Sequence, residues 1–155
     1  MPHAKDADPT SPLLNDMPQS DAAHALSDAD KAKWAAVMAL RTDVNKALEL
    51  ARNEKKIGKS LEAQVTLYFD GEARALWEKE LGSFDAADLA DLCIVSHVDA
   101  VLGSGTGYAG EAIEGLTVAV ESAEGEKCGR CWKHDAGVNA DGLCPRCAAV
   151  LKQEG

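Results

Sequence analysis

Two Cys-x-x-Cys pairs, Cys128-Gly-Arg-Cys131 and Cys144-Pro-Arg-Cys147, stand 12 residues apart near the end of the chain. A two-residue gap lets both sulfurs of a pair face one ion. The separation lets the second pair fold back opposite the first, so the spacing predicts a tetrahedral four-thiolate zinc site. Four cysteines leave no position for water, and the expected single Zn2+ is therefore structural rather than catalytic. Two redox-active pairs are the competing reading, which suits a short Gly-containing tail poorly. His134 lies between the pairs, but a complete cysteine set makes it a surface residue rather than a ligand.

Cysteine number fits metal better than disulfides: there are five, an odd count, and no secretory features accompany them. Nothing near the start resembles a signal peptide, and no stretch approaches the roughly 18 to 20 apolar residues of a membrane helix, so a cytoplasmic chain without a membrane partner is expected. At 155 residues it can hold one modest core plus a small appended module. Aromatics are only 5%, so that core must be mainly aliphatic. A net charge of -10 argues against nucleic acid on average. The average conceals a basic element, since residues 31 to 59 carry eight Lys/Arg against three Asp/Glu, whereas residues 60 to 127 carry three against fourteen.

The pattern predicts an α+β chain: a long N-terminal helix, a small mixed α/β junction domain and a C-terminal zinc ribbon. Residues 1–27 mix Pro, Ser, Asp and Ala without a period and read as a linker or disordered lead-in. Ser27 with Asp30 forms a capping box, and a helix should run from Asp28 to about Lys55 with Trp34, Val37, Met38, Val44, Leu48 and Ala51 inward. Residues 60–69 alternate as a strand with one buried face. Glu72 to Leu81 and Ala86 to Leu92 read as short helices, and Cys93 to Leu102 and Leu116 to Val120 as strands. The Gly-rich stretch Gly103 to Gly110 reads as a flexible loop. Cys93 and His97 are expected to be structural. These spans give three regions: 1–27, a helix-plus-junction unit at 28–121, and a ribbon at 122–155.

Arg130, Trp132, Lys133 and Arg146 surround the cysteine pairs, a grouping suited to phosphate contact and base stacking. The same cations could instead balance the formal -2 charge of zinc with four thiolates, with Trp132 covering the site. On the long helix Arg41, Asn45, Glu49 and Arg52 form one polar stripe near Lys55, Lys56 and Lys59, either a solvated face or an RNA-facing one. Two phosphate-loop look-alikes fail on context. Gly58-Lys59-Ser60 follows a helix and precedes a strand, the reverse of the required order, and Gly105-x-Gly107-x-x-Gly110 has no room for a crossover helix. No nucleophile triad, open metal position or enforced carboxylate pair is present, so no catalytic residue is assigned.

At this point the residues resemble a known family, the C-terminal region of bacterial isoleucyl-tRNA synthetases, which are class I aminoacyl-tRNA synthetases. The match runs from Trp34 through Leu40-Arg41, Val44-Asn45, Glu49, Arg52 and Ile57-Gly58-Lys59-Ser60-Leu61-Glu62-Ala63 to Val65. It resumes at Ala123-Glu124-Gly125-Glu126-Lys127-Cys128 with Cys131-Trp132, Cys144 and Cys147. A weaker continuation covers Ser11 to Gln19. The resemblance implies that the long helix ends an anticodon-binding region and that residues 60–121 form a junction. It also implies a ribbon of the type shared with formamidopyrimidine-type DNA glycosylases.

By that resemblance the parent enzyme joins isoleucine to its tRNA using ATP, and this part helps dock the anticodon stem-loop. The implied tRNA contacts are Arg130, Trp132, Lys133 and Arg146, with Arg41, Arg52 and Lys56 behind them. The implied partners are isoleucine-specific tRNA and the remainder of the synthetase chain, in a monomer. The catalytic signatures HIGH and KMSKS are absent, so a non-catalytic fragment of a much longer enzyme is expected. Two other readings stay open: a DNA-binding ribbon of a repair glycosylase, and a purely structural interaction module.

Overall fold

In the computed structural model, which describes residue 19 and residues 21–153, helix α1 (Asp28–Asn53) packs across a four-stranded sheet. Its start follows the sequence signal: the Ser27 hydroxyl accepts from the Asp30 amide at 3.1 Å and donates to the Asp30 carboxylate at 2.7 Å. The weak upstream match at Ser11 to Gln19 lies almost wholly outside the described residues.

The sheet is mixed, in the order β2-β1-β4-β3. Strand β1 (Ala63–Phe69) is central, parallel to β2 (His97–Leu102) and antiparallel to β4 (Leu116–Ser122), which pairs on its far side with β3 (Tyr108–Ala109). The alternation read in β1 holds: Ala63, Val65, Leu67 and Phe69 are buried, while Gln64, Thr66 and Tyr68 are half-buried on the other face. Residues 60–62, expected in the strand, form a single 3-10 turn before it, closed by the Glu62 carboxylate accepting from the amides of Gly58 and Lys59. Those two amides hold the Glu62 carboxyl below its ordinary range. Helix α2 (Gly71–Leu76) continues through a π-type turn to Leu81 and, with α1 and α3 (Ala86–Cys93), contributes to the aliphatic core on the buried side of β1.

Three expectations are corrected. Trp34 and Met38 are not core residues of α1 but are 44% and 56% exposed; the buried stripe is Ala36, Val37, Leu40, Asp43, Val44, Ala47, Leu48 and Ala51. Trp34 lies edge-on to Phe84 at the rim instead. Cys93 ends α3 rather than opening a strand, because Ile94 takes a left-handed conformation (φ 58°) and turns the chain before β2 begins. The glycine-rich stretch is not loose: Tyr108 and Ala109 form β3, and a Cβ on Gly105 would run into the Tyr68 ring.

Asp43 is a core residue that the apolar pattern does not announce. It is fully buried, and its two carboxylate oxygens accept from the amides of Glu111, Ala112 and Ile113 at 2.9 to 3.2 Å. The buried charge is thereby hydrogen-bonded on both oxygens, as a buried charge must be, and the loop before β4 is tied to the middle of α1.

Candidate metal centre

Beyond β4 the chain forms a second, two-stranded sheet, β5 (Glu126–Lys127) with β6 (His134–Asp135), and ends in helix α4 (Pro145–Gln153). Cys128 and Cys131 lie in the turn between β5 and β6, Cys144 immediately precedes α4, and Cys147 is in its first turn. The spacing did not foretell α4, which is too short to show a helical repeat on its own. Once its N-terminal turn is fixed by the cysteines, the remaining residues continue as helix.

All four Sγ atoms lie within 4.8 Å of one another, and Cys128, Cys144 and Cys147 are buried with Cys131 half-buried. A tetrahedron of thiolates about 2.3 Å from zinc has sulfur–sulfur edges of about 3.8 Å. Cys131 and Cys144 are 3.7 Å apart, close to that edge, and the four donors together suit such an ion. The backbone supports the charged form at one of them: the Cys144 amide donates to the Cys128 sulfur at 3.3 Å, and amides of Cys131 and Cys144 pull the Cys128 thiol down to about 6. Burial pushes the Cys131 thiol up to about 12 and raises Cys144 as well. A cluster of thiols that burial resists ionising is stable as thiolates only around a cation, and this is one structural zinc site with no open position.

Cys93 takes no part: it lies in the body, where burial raises its thiol to about 11, as suits an inert core cysteine. His134 stays outside the sulfur cluster. Its ring Nδ1 donates to the Gly125 carbonyl at 3.3 Å, so it is half-buried in the ribbon rather than a free surface residue.

The cations and aromatics named from sequence separate into groups. Arg130 and Trp132 are exposed beside the first cysteine pair, and Trp132 is 59% exposed on a left-handed backbone (φ 68°). Lys127 stands 5.3 Å from its ring centroid. Across a cleft of about 250 Å3, Trp132, Lys127 and His134 face Lys59, Ser60, Leu61 and Glu62 of the body. Arg52 reaches the same rim by donating to the Ser60 hydroxyl at 2.7 Å, whereas Lys56 pairs with Glu54. Lys127 is the rim cation that the sequence did not single out as a contact, and Lys59, read there only as a neighbour of the helix stripe, lies opposite it because the fold brings these two segments together. Lys133 is 21% exposed and bound to Asp91 of α3 at 2.6 Å, and it holds the Asp91 carboxyl below its ordinary range. Arg146 shares a separate cleft with Lys133 and Asp91, and Arg41 lies apart, near Cys93.

Residues 125–150 match the family described as the zinc finger found in FPG and IleRS. Over longer stretches the chain is similar to proteins named isoleucine--tRNA ligase. That of Geobacter sulfurreducens is 43% identical over 77% of this chain and 13% of its own length. That of Shouchella clausii is 46% identical over 89% and 15%, and that of Staphylococcus aureus (strain JH9) 44% identical over 97% and 16%. The chain thus spans about one seventh of the length of these curated relatives. Matched along nearly all of its own length and carrying the zinc site at the family's position, the chain belongs with the isoleucyl-tRNA synthetases, as the counterpart of their zinc-binding C-terminal region.

Proposed function

We propose that this chain is the zinc-stabilised tRNA-docking part of an isoleucyl-tRNA synthetase, contributing contacts to the anticodon stem-loop and no catalytic group. The observation that supports this reading is the exposed Trp132, presented by the cysteine turn with Lys127 and Arg130 beside it and Lys59 opposite. An exposed aromatic ring among cations offers a base a stacking platform and its phosphate a counter-charge. In this reading the partners are isoleucine-specific tRNA and the remainder of the synthetase, whose other domains carry out ATP-dependent aminoacylation in the cytoplasm as a monomer. Residues 28–121 act as the junction unit and residues 122–155 as the docking ribbon. Arg130 and Trp132 are the principal contacts, with Arg52, Lys56 and Arg146 at the margins.

A second reading, the ribbon as a buttress that touches no RNA, is favoured by two contacts that use cations inside the fold. Lys133 is bound to Asp91, and Arg130 Nη1 lies 3.9 Å from the Cys147 sulfur. Charge reversal at Arg146, and at Arg130 with zinc content measured alongside because Arg130 also meets the Cys147 sulfur, separates the two in the intact synthetase. Lys133 is left alone because reversing it would also break the Asp91 contact. Docking requires weaker tRNA binding and a salt dependence shallower by about one for each lost phosphate contact. Unchanged affinity at low and high salt would leave the ribbon as a buttress.

A further inference from the structure

Ribbon and body meet at one residue in particular. Both backbone polar groups of His134 are held by consecutive residues of the body: its amide donates to the Ser96 hydroxyl at 2.7 Å, and its carbonyl accepts from His97 Nε2 at 2.8 Å. Ser96 is itself 5% exposed, its amide donates to the Ala63 carbonyl at 3.0 Å, and its hydroxyl donates to the Leu61 carbonyl at 2.6 Å. One buried hydroxyl therefore links the turn before β1 to the first residue of β6. Those two segments are also the opposite walls of the cleft between Lys59 and Trp132. Trp132 lies only two residues before His134, so a rotation of the ribbon about this anchor would change the cleft's width while leaving the sulfur cluster intact.

We propose that Ser96, with His97 beside it, is a positioning residue that fixes the ribbon to the body through the His134 backbone and so sets the spacing of the tRNA-docking surface. Its effect on RNA rests on the docking reading given above; its effect on the seam does not. The serine is suited to the role because one oxygen both donates and accepts, which alanine cannot do and threonine can.

The test compares Ser96→Ala and Ser96→Thr, with His97→Ala as a second route to the same seam should Ser96→Ala fail to take up zinc. Zinc content and amide exchange are measured on the zinc-loaded chain, and tRNA affinity on the intact synthetase carrying the same substitution. One lost hydrogen bond predicts roughly tenfold faster exchange of the His134 amide and roughly tenfold weaker tRNA binding, with one zinc retained. The Trp132 amide, which bonds within the ribbon to the Cys128 carbonyl at 2.9 Å, should stay protected, and threonine should show neither the faster exchange nor the weaker binding. Unchanged exchange at His134 would overturn the anchor itself. Faster exchange with full tRNA affinity would overturn the positioning role, provided the Arg130 reversal still weakens binding. If that reversal is also silent, the docking reading fails while the seam stands.

Discussion

From α1 to β4 the chain buries a continuous aliphatic core that includes Leu40, Leu48, Leu67, Phe69 and Leu89, whereas from Gly125 onward the only fully buried side chains among the described residues are Cys128, Cys144 and Cys147. The body has enough apolar surface to hold itself together; the ribbon has half-buried Val138 and Leu143 against its sulfurs and little else. A segment this small cannot offset its chain entropy by burial alone, so the metal–sulfur bonds supply what the apolar core supplies elsewhere. Two ways of closing a core thus sit in one chain. They should fail independently, although Ser96, His97 and Lys133 join them.

The strongest way to break the comparison is to remove the metal. Structural zinc contributes on the order of 10 kcal/mol to such ribbons at neutral pH, so chelation or Cys144→Ser should unfold residues 125–153 and leave the sheet amides of β1 and β4 protected. Amide exchange resolved by residue reads this directly, and loss of protection throughout would show a single cooperative unit instead. The reverse perturbation is Phe69→Ala, which empties a site with no exposure beneath Trp77 and should cost the body about 3 to 5 kcal/mol. Zinc content after mild denaturation should remain near one per chain; release of zinc in step with body unfolding would show the ribbon depends on its platform.

The smallest effect sharpens the boundary between the two. Lys133→Ala removes an ion pair whose carboxylate side chain is 57% exposed, so less than about 1 kcal/mol is expected in thermal unfolding. The Asp91 carboxyl is lowered in the folded chain, so the pair's contribution is present above the ordinary carboxylate range. It is lost as pH falls through the lowered value. Wild type and Lys133→Ala should therefore differ at pH 7 and converge in strong acid, and a difference that persists there would mean Lys133 acts through packing.

The zinc site was legible because its chemistry is local: four cysteines at fixed spacing specify a tetrahedron whatever surrounds them. Strand β1 was legible for a similar reason, since Val65, Leu67 and Phe69 declare a buried face by alternation alone. The long helix was found, but its buried face was turned toward Trp34 and Met38, because large apolar residues outweighed the small Ala36 and Ala47 that the sheet admits. What escaped entirely were contacts made by polar atoms across long separations. Nothing near Ser96 marks it as the partner of His134, and nothing near Lys59 places it opposite Trp132, because those neighbours exist only after the sheet has formed.

The buried carboxylate of Asp43 carries one more consequence, a matter of time rather than of shape. Its amide partners are 68 to 70 residues away along the chain, among the costlier loops to close in a molecule of this size. The clasp should therefore form late in folding, after β1 and β4 have paired and brought the 111–113 loop to the helix. Asp43→Ala would then leave the refolding rate almost unchanged and accelerate unfolding, making this acid a latch on the exit rather than a guide on the way in.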